Sequence, residues 1–161
     1  MEKSDPFINE IKLMAKKRSV WILLGSIIIK DEKNRLYNRS YLINSFGKVV
    51  CKYDKIHMFD VNISKGESYQ ESKIFTKGKK IVTAKLPWGQ IGMSICYDLR
   101  FPALYRKLCS KGTNMISIPA AFTRPTGKSH WHTLIKARAI ENFSFVFAPA
   151  QCGINSSTRK T

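Results

Sequence analysis

The sequence lacks any metal or disulfide pattern among its four cysteines. The four stand at positions 51, 96, 109 and 152, and no two of them make a Cys-x-x-Cys pair. Zinc sites and disulfide frameworks are typical of closer, repeated spacings. His57 and the His130-x-His132 pair bring no third ligand with them. We therefore predict no metal site and no disulfide bonds, and we expect a reducing cytoplasm as the compartment.

The sequence also lacks a long hydrophobic run. The longest, residues 20–29, has ten residues and is interrupted by Gly25 and Ser26. A membrane-spanning helix needs about 20 apolar residues. The first six residues show neither the basic nor the apolar region of a signal peptide. We therefore predict a globular protein that does not cross a membrane and is not secreted, with a buried strand over residues 20–29.

Acidic residues are scarce. The chain has 11 Asp and Glu against 28 Lys and Arg, so the formal net charge is +17. Such a charge can attract nucleic acid or an anionic membrane. The lysines are dispersed, however, and no nucleic-acid motif accompanies them. We expect no nucleic-acid partner, and an acidic substrate or acidic sequence outside these 161 residues would explain the imbalance equally well.

Hydrophobic patterns predict alternating helices and strands. Asp5-Pro6 is typical of a helix start, and apolar residues then recur on one helical face as far as Lys17. The polar stretch over residues 56–78 indicates an extended loop. The other predicted elements are strands at 20–29, 37–44, 49–52, 81–86, 91–95, 114–119 and 143–150 and helices at 101–109 and 128–142. Their order predicts a layered α/β architecture in a single domain, 1–161.

Cys96 stands where the strand predicted over residues 91–95 ends. Pro102, a few residues further on, can open a helix. A thiol becomes a nucleophile when it is accessible and its thiolate is favoured by positive charge or a helix N-terminus. Taken alone, a cysteine at a strand end is more often a small buried apolar side chain. Its sequence neighbours favour the catalytic interpretation.

The neighbours of Cys96 form the segment Gly92-Met-Ser-Ile-Cys96-Tyr-Asp-Leu-Arg-Phe-Pro102. A second segment, around Lys55, is Tyr53-Asp-Lys55-Ile-His-Met-Phe-Asp60. They resemble the nucleophile and lysine motifs of the nitrilase superfamily, the carbon–nitrogen hydrolases, and they occur in the expected order. Four further stretches match the family pattern: Asn38-Arg39-Ser40 before Gly47, Gly66–Ser72, Pro119–Thr123 and Ala137–Asn142. The resemblance covers nearly the whole chain.

The resemblance implies an α-β-β-α sandwich and a Glu-Lys-Cys triad that attacks an amide or nitrile and passes through a thioacyl enzyme. Cys96 would be the nucleophile. Lys55 would stabilise the negative oxygen of the tetrahedral intermediates together with the Tyr97 backbone N–H, as an oxyanion hole does. Glu71 matches a second glutamate that holds this lysine in many members. No cofactor is implied.

Residues 58–61, 66–69, 119–127 and 137–141 look most similar to the deaminated glutathione amidase and omega-amidase branch. This similarity implies hydrolysis of a small-molecule amide, deaminated glutathione or a related omega-amide of a small carboxylate, by a homodimer. Arg124, with Phe122 and Thr123, is predicted to lie in a loop that meets the substrate carboxylate, because guanidinium binds carboxylate bidentately.

One member of the family triad has no counterpart in this sequence. The general-base glutamate belongs upstream of the first helix, and neither Glu2 nor Glu10 has that context. Ala103 and His132 stand where close relatives have glutamates. We therefore expect a chain truncated at both ends, with weak or no turnover alone. The alternative is a catalytically inactive fragment that retains the fold as an interaction or regulatory protein.

Overall fold

A computed structural model describes residues 5–64, 67–156 and 159–161. Its backbone divides into two compact units, Met1–Lys80 and Ile81–Thr161. The helices are α1 (Pro6–Arg18), α2 (Pro102–Cys109) and α3 (Arg124–Glu141), with 3-10 helices at Glu71–Lys73 and Cys96–Arg100. The strands are β1 (Ile22–Lys30), β2 (Leu36–Ile43), β3 (Val49–Asp54), β4 (Asp60–Ser64), β5 (Glu67–Gln70), β6 (Thr83–Leu86), β7 (Gly89–Met93), β8 (Met115–Ser117), β9 (Phe145–Phe147), β10 (Ile154–Ser156) and β11 (Arg159–Lys160). The predicted α/β class is confirmed.

Helix α1 begins where the sequence predicts it. The Ile8 backbone N donates to Asp5 Oδ1 at 3.0 Å, which satisfies an N–H that has no partner inside the helix. The helix ends at Arg18, and the residue after it, Ser19, has a left-handed φ of 51°. Its buried side chains join those of the neighbouring strands in one core cluster: Ile8, Ala15, Ile29, Tyr41 and Ile43.

The first unit contains an antiparallel sheet in the order β1-β2-β3. Its first connection is a hairpin turn, where Asp31 Oδ1 accepts from the Lys33 and Arg35 backbone N–H groups, each at 2.9 Å. Strand β3 ends at Asp54. Lys55 is therefore the first residue after the last strand of this sheet.

The extended loop predicted over residues 56–78 is wrong for much of that stretch. Strands β4 and β5 pair antiparallel with Val61 opposite Tyr69, and Glu71–Lys73 follows as a 3-10 helix. Polar residues dominate this hairpin, so it shows little hydrophobic alternation, which is the signal that predicts a strand. Backbone pairing and the contact between the Phe59 and Tyr69 rings, 5.1 Å between centroids, stabilise it instead.

The second unit is built on a four-stranded sheet in the order β6-β7-β8-β9. Strands β6 and β7, which correspond to the strands predicted at 81–86 and 91–95, form an antiparallel hairpin, whereas β7, β8 and β9 run parallel. Parallel neighbours need crossover connections, which α2 and α3 supply. The fully buried apolar residues of this unit include Met93, Ile95, Leu99, Leu108, Ile116 and Ile118.

Two boundaries in the second unit differ from the prediction. Helix α3 begins at Arg124 rather than at Lys128, because the Gly127 backbone N already donates to the Thr123 carbonyl at 2.7 Å. Pro125 suits this first turn, where an N–H would have no partner. Strand β9 covers only Phe145–Phe147 of the apolar run 143–150. Among the described residues, no helix has the length and apolar character needed to span a membrane.

Candidate active-site residues

Lys55 and Glu71 form a buried ion pair in the first unit. The Lys55 ammonium donates to Glu71 Oε2, and the two side chains are 3% and 14% exposed. The same carboxylate oxygen accepts from the Phe59 backbone N at 2.6 Å, and Oε1 accepts from Asn38 Nδ2 at 3.5 Å. A charged group removed from water needs such partners. The structure thus brings together Lys55 of the lysine motif and Glu71 of the matching stretch Gly66–Ser72.

The backbone around Lys55 is fixed on both sides. Its N–H donates to the Asn38 carbonyl at 2.9 Å, and its carbonyl accepts from the Gly78 N–H at 2.7 Å. The preceding Asp54 carboxylate binds the Arg39 guanidinium with two bonds, 2.6 and 2.9 Å long. Bidentate pairs of this kind fix orientation as well as adding energy. The Lys55 side chain therefore projects from a backbone that is fixed at the end of β3.

One carboxylate and one thiol of the first unit have shifted pKa values. Hydrogen bonds from Ser72, the backbone one largest, hold the pKa of the Asp60 carboxyl below its ordinary value. Burial raises the pKa of the Cys51 thiol on β3 to about 11. A thiol that stays protonated is a poor nucleophile. Cys51 is therefore disfavoured as a nucleophile at neutral pH.

Cys96 begins the 3-10 helix of the second unit in an uncommon backbone conformation. Its φ is 49°, in the left-handed region that non-glycine residues rarely adopt, at a cost of about 1–2 kcal/mol. Its backbone N donates to the Pro119 carbonyl at 2.9 Å. Such strain persists only where the surroundings fix it, and it is concentrated at functional sites. The predicted strand end proves to be a sharp turn, with β7 ending at Met93.

Asp98 fixes this turn from inside. It is fully buried, its Oδ2 accepts from the Ile95 backbone N at 2.9 Å, and its own N–H donates to the Ile95 carbonyl at 3.0 Å. Both bonds join Ile95 to Asp98 and so enclose Cys96 and Tyr97. They close a reciprocal box of the kind that starts helices. The Cys96 backbone is thereby held by its two sequence flanks.

A buried polar network lies next to the Cys96 turn. Ser94 Oγ donates to the Ser117 carbonyl at 2.8 Å and lies 3.0 Å from Tyr105 Oη. Burial raises the pKa of Tyr105 far above its usual value, so the phenol stays neutral. The network joins β7, β8 and α2 without leaving these polar groups unsatisfied.

The residues predicted to bind substrate lie in one unit but in different settings. The Arg100 guanidinium lies over the Tyr97 and Phe122 rings, 5.8 and 5.6 Å from their centroids, so Tyr97 and Phe122 share a neighbour. Thr123 is buried, and its Oγ1 is 2.7 Å from Thr126 Oγ1. The loop predicted for Arg124 is wrong, since Arg124 opens α3.

Arg124 is exposed and lines a cavity of about 250 Å³ with Gly153, Ile154 and Thr161. Arg100 was missed at the sequence level. Its partner is a histidine nitrogen, with Arg100 Nη2 3.1 Å from His130 Nδ1. Among the described residues, no carboxylate forms an ion pair with its guanidinium. The sequence signal that could have identified Arg100 is its position in the nucleophile motif, four residues after Cys96.

The four cysteines, all within the described ranges, form no disulfide bond. In the same part of the chain, no three His, Cys, Asp or Glu side chains come together as a metal site would require.

A strained cysteine turn at the end of a β-strand and a buried lysine–carboxylate pair, in a mixed α/β fold, define a candidate thiol hydrolase. The chain belongs to the carbon–nitrogen hydrolase family, whose model matches residues 2–161. The predicted membership of the nitrilase superfamily and its fold is confirmed.

Individual relatives agree with this assignment. The deaminated glutathione amidase of Yersinia enterocolitica is 43% identical over 159 residues, which cover 97% of this chain and 56% of that protein. The deaminated glutathione amidase of Dictyostelium discoideum is 41% identical, with 100% and 57% covered. The crystal structure of the Caenorhabditis elegans NitFhit protein matches with a TM-score of 0.92 at 35% identity, covering 100% of this chain and 40% of that one. The chain thus spans little more than half the length of the two deaminated glutathione amidases.

Proposed function

We propose that this protein is an amidase that cleaves a small-molecule amide through a thioacyl intermediate on Cys96. The conformation of Cys96 carries the proposal. A left-handed cysteine fixed by Pro119 and spanned by the Asp98 box is a costly arrangement that a merely space-filling thiol would not need. Family membership adds the reaction class, a carbon–nitrogen hydrolase.

In the proposed reaction the Cys96 sulfur attacks the amide carbonyl carbon and gives a tetrahedral oxyanion. The Lys55 ammonium, held by Glu71, and the Tyr97 backbone N–H stabilise that oxyanion. The carbon–nitrogen bond then breaks, the nitrogen takes up a proton and leaves as ammonia or amine, and water hydrolyses the thioester. A base must accept the thiol proton in the first step. None of the residues matched to the family motifs has that role, so we expect slow turnover from this chain alone.

The proposed substrate is deaminated glutathione or a related omega-amide of a small carboxylate, because relatives with 41–43% identity are named deaminated glutathione amidases. Arg100 is the guanidinium that best suits the carboxylate of such a substrate. It follows the nucleophile by four residues and lies among Tyr97, Phe122 and His130. Phe122 and Thr123 keep the substrate-binding roles predicted from the sequence. Arg124 keeps its role as a further, more exposed candidate.

Three finer expectations belong to the same proposal: a homodimer, a cytoplasmic location and no nucleic-acid partner. Sedimentation equilibrium of the purified chain tests the first, since a dimer would give about twice the chain mass of 18.4 kDa. Cell fractionation tests the second.

Release of the leaving amine tests the amidase proposal. We expect wild-type protein to release the amine product, cysteinylglycine, from deaminated glutathione, and Cys96→Ala to reduce release to the buffer level, because the thioester can no longer form. Cys152→Ala, which removes an exposed thiol, is the matched control and should behave as wild type. Equal background from wild type and Cys96→Ala would favour the inactive interaction protein instead. Arg100→Lys should raise KM more than it lowers kcat.

A further inference from the structure

Arg138 of α3 is a buried charged residue with no part in the proposed reaction. It is 5% exposed, and two of its guanidinium nitrogens, Nε and Nη2, donate to the Leu99 carbonyl at 3.0 and 2.8 Å. Leu99 lies three residues after Cys96, within the same 3-10 helix. A side chain 42 residues after Cys96 in the sequence thus binds the turn that carries the thiol.

The Leu99 carbonyl needs a donor from outside its own helix. Carbonyls in the last turn of a helix have no intrahelical partner. Three residues further on stands Pro102, which has no N–H to donate. Leu99 itself is fully buried. The Arg138 fork supplies the missing donors with charge-assisted hydrogen bonds, which are shorter and stronger than neutral ones.

The guanidinium is itself held in place. Its Nη1 donates to Glu141 Oε1 at 2.7 Å, and its carbon lies 5.2 Å from the centroid of the Tyr105 ring. Tyr105 is in turn linked to Ser94, two residues before Cys96. The polar groups tied to Arg138 therefore lie on both sides of the cysteine.

We infer that Arg138 is a positioning residue for Cys96, an assignment that rests on the proposed function. The Pro119 bond and the Asp98 box fix the start of the turn, and Arg138 fixes its end. With both ends fixed, the strained Cys96 backbone keeps its thiol and the adjacent Tyr97 N–H in one orientation. Without Arg138 the turn can relax toward an ordinary backbone conformation, and the thiol loses that orientation. A displacement of about 1 Å at a reacting group can reduce a rate by about 100-fold.

The test measures Cys96 reactivity directly in the full-length chain. Wild type, Arg138→Lys and Arg138→Met are alkylated with iodoacetamide across a pH series, and peptide mass spectrometry follows Cys96 and the exposed Cys152 separately. Arg138→Met keeps the packing on Tyr105 but donates nothing. Arg138→Lys keeps the charge without the fork. Arg106→Met, an exposed arginine on α2, is the matched control.

We expect the plateau rate of Cys96 at alkaline pH to fall on the order of tenfold or more in Arg138→Met, and less in Arg138→Lys. The Cys152 rate and the Arg106→Met control should not change. Unchanged or faster Cys96 alkylation in both variants, measured below their unfolding temperatures, would overturn the positioning role and leave Arg138 a stabilising residue. If Arg138→Met does not fold, Arg138→Lys alone decides.

The same data separate the two claims. Slow alkylation of wild-type Cys96 compared with Cys152, together with no hydrolysis of the amide substrate, argues against the proposed function. The change caused by the Arg138 substitutions argues for or against the positioning role in either case.

Discussion

The Lys55–Glu71 pair is asymmetric. Lys55 is almost fully buried, and its ammonium donates to Glu71, whereas Glu71 keeps some exposure and also accepts from the Phe59 N–H. Removing one partner from a buried pair leaves the other charge uncompensated. The stability cost therefore depends on which partner is removed.

We predict that Glu71→Ala lowers the free energy of unfolding by about 3–5 kcal/mol, because it leaves the buried ammonium without its carboxylate. Lys55→Met should cost less, since the remaining carboxylate is partly solvated and keeps a backbone donor, yet it should abolish amide hydrolysis. Urea unfolding measures the first effect, and Glu32→Ala, an exposed acid, is the control. Equal costs for the two substitutions would contradict the asymmetry.

Cys51 predicts a pH dependence of stability. Burial raises its pKa from 9.0 to about 11 in the folded chain. Below pH 9 the thiol is protonated in both states. Between pH 9 and 11 the unfolded thiol ionises while the folded one stays neutral, so stability falls as the pH rises through this window. Urea unfolding at several pH values should give a shallower decline for Cys51→Ala than for wild type, whereas exposed Cys152→Ala should follow wild type. Parallel curves for wild type and Cys51→Ala would refute this.

Some of these residues could be read from the sequence and others could not. Lys55, Glu71 and Cys96 stand in local motifs, so a short stretch of sequence identifies each. Arg138 acts on Leu99, 39 residues away. Such partnerships depend on how helices and strands pack, which no local pattern encodes. The same holds for Asn38, which binds Glu71 from 33 residues away.

At the level of elements, strong periodicity and capping chemistry gave the right predictions. Helix α1, with its Asp5 cap, and the hairpins β1-β2 and β6-β7 have these signals. The β4-β5 hairpin does not, because its residues are mostly polar. The start of α3 was placed too late because Pro125 and Gly127 are typical of loops, although both occur in a first helical turn here.

Gly78 helps to fix the position of Lys55, because its N–H donates to the Lys55 carbonyl. A Cβ at Gly78 would lie 2.0 Å from the Asp54 carbonyl oxygen, so the backbone next to Lys55 must move. We predict that Gly78→Ala destabilises the protein by about 1–3 kcal/mol or more and reduces amidase activity.

Gly127→Ala is the matched control. Its Cβ would meet Phe122 at 3.6 Å, an ordinary contact inside a helix, so stability should rise by up to about 1 kcal/mol. Urea midpoints compare the two variants. A Gly78→Ala midpoint at or above the wild-type value would contradict the close approach.

At the level of the whole molecule, the family match extends over residues 2–161, but the chain spans only 56% and 57% of the two curated relatives. The single-domain interpretation stays a prediction, since the backbone divides into two compact units. Fold class and family could be predicted from the sequence because the motifs that match the family are spread along nearly the whole chain.

The net charge of +17 predicts weak, non-specific attraction to nucleic acid. Binding that rests on phosphate neutralisation alone falls steeply with salt. We expect any association with duplex or single-stranded DNA at about 50 mM salt to disappear by about 200 mM. Fluorescence anisotropy across a salt series measures this. Binding that persists at physiological salt would revive a nucleic-acid role.

The most direct test of the central claim is to trap the thioester. Wild-type protein incubated with deaminated glutathione and quenched in acid should carry the acyl group on Cys96, found by peptide mass spectrometry and removed by hydroxylamine. The adduct should be greatly reduced in Lys55→Met, because the oxyanion loses its cation. No adduct on Cys96, or an equal adduct on Cys152, would contradict its assignment as the nucleophile.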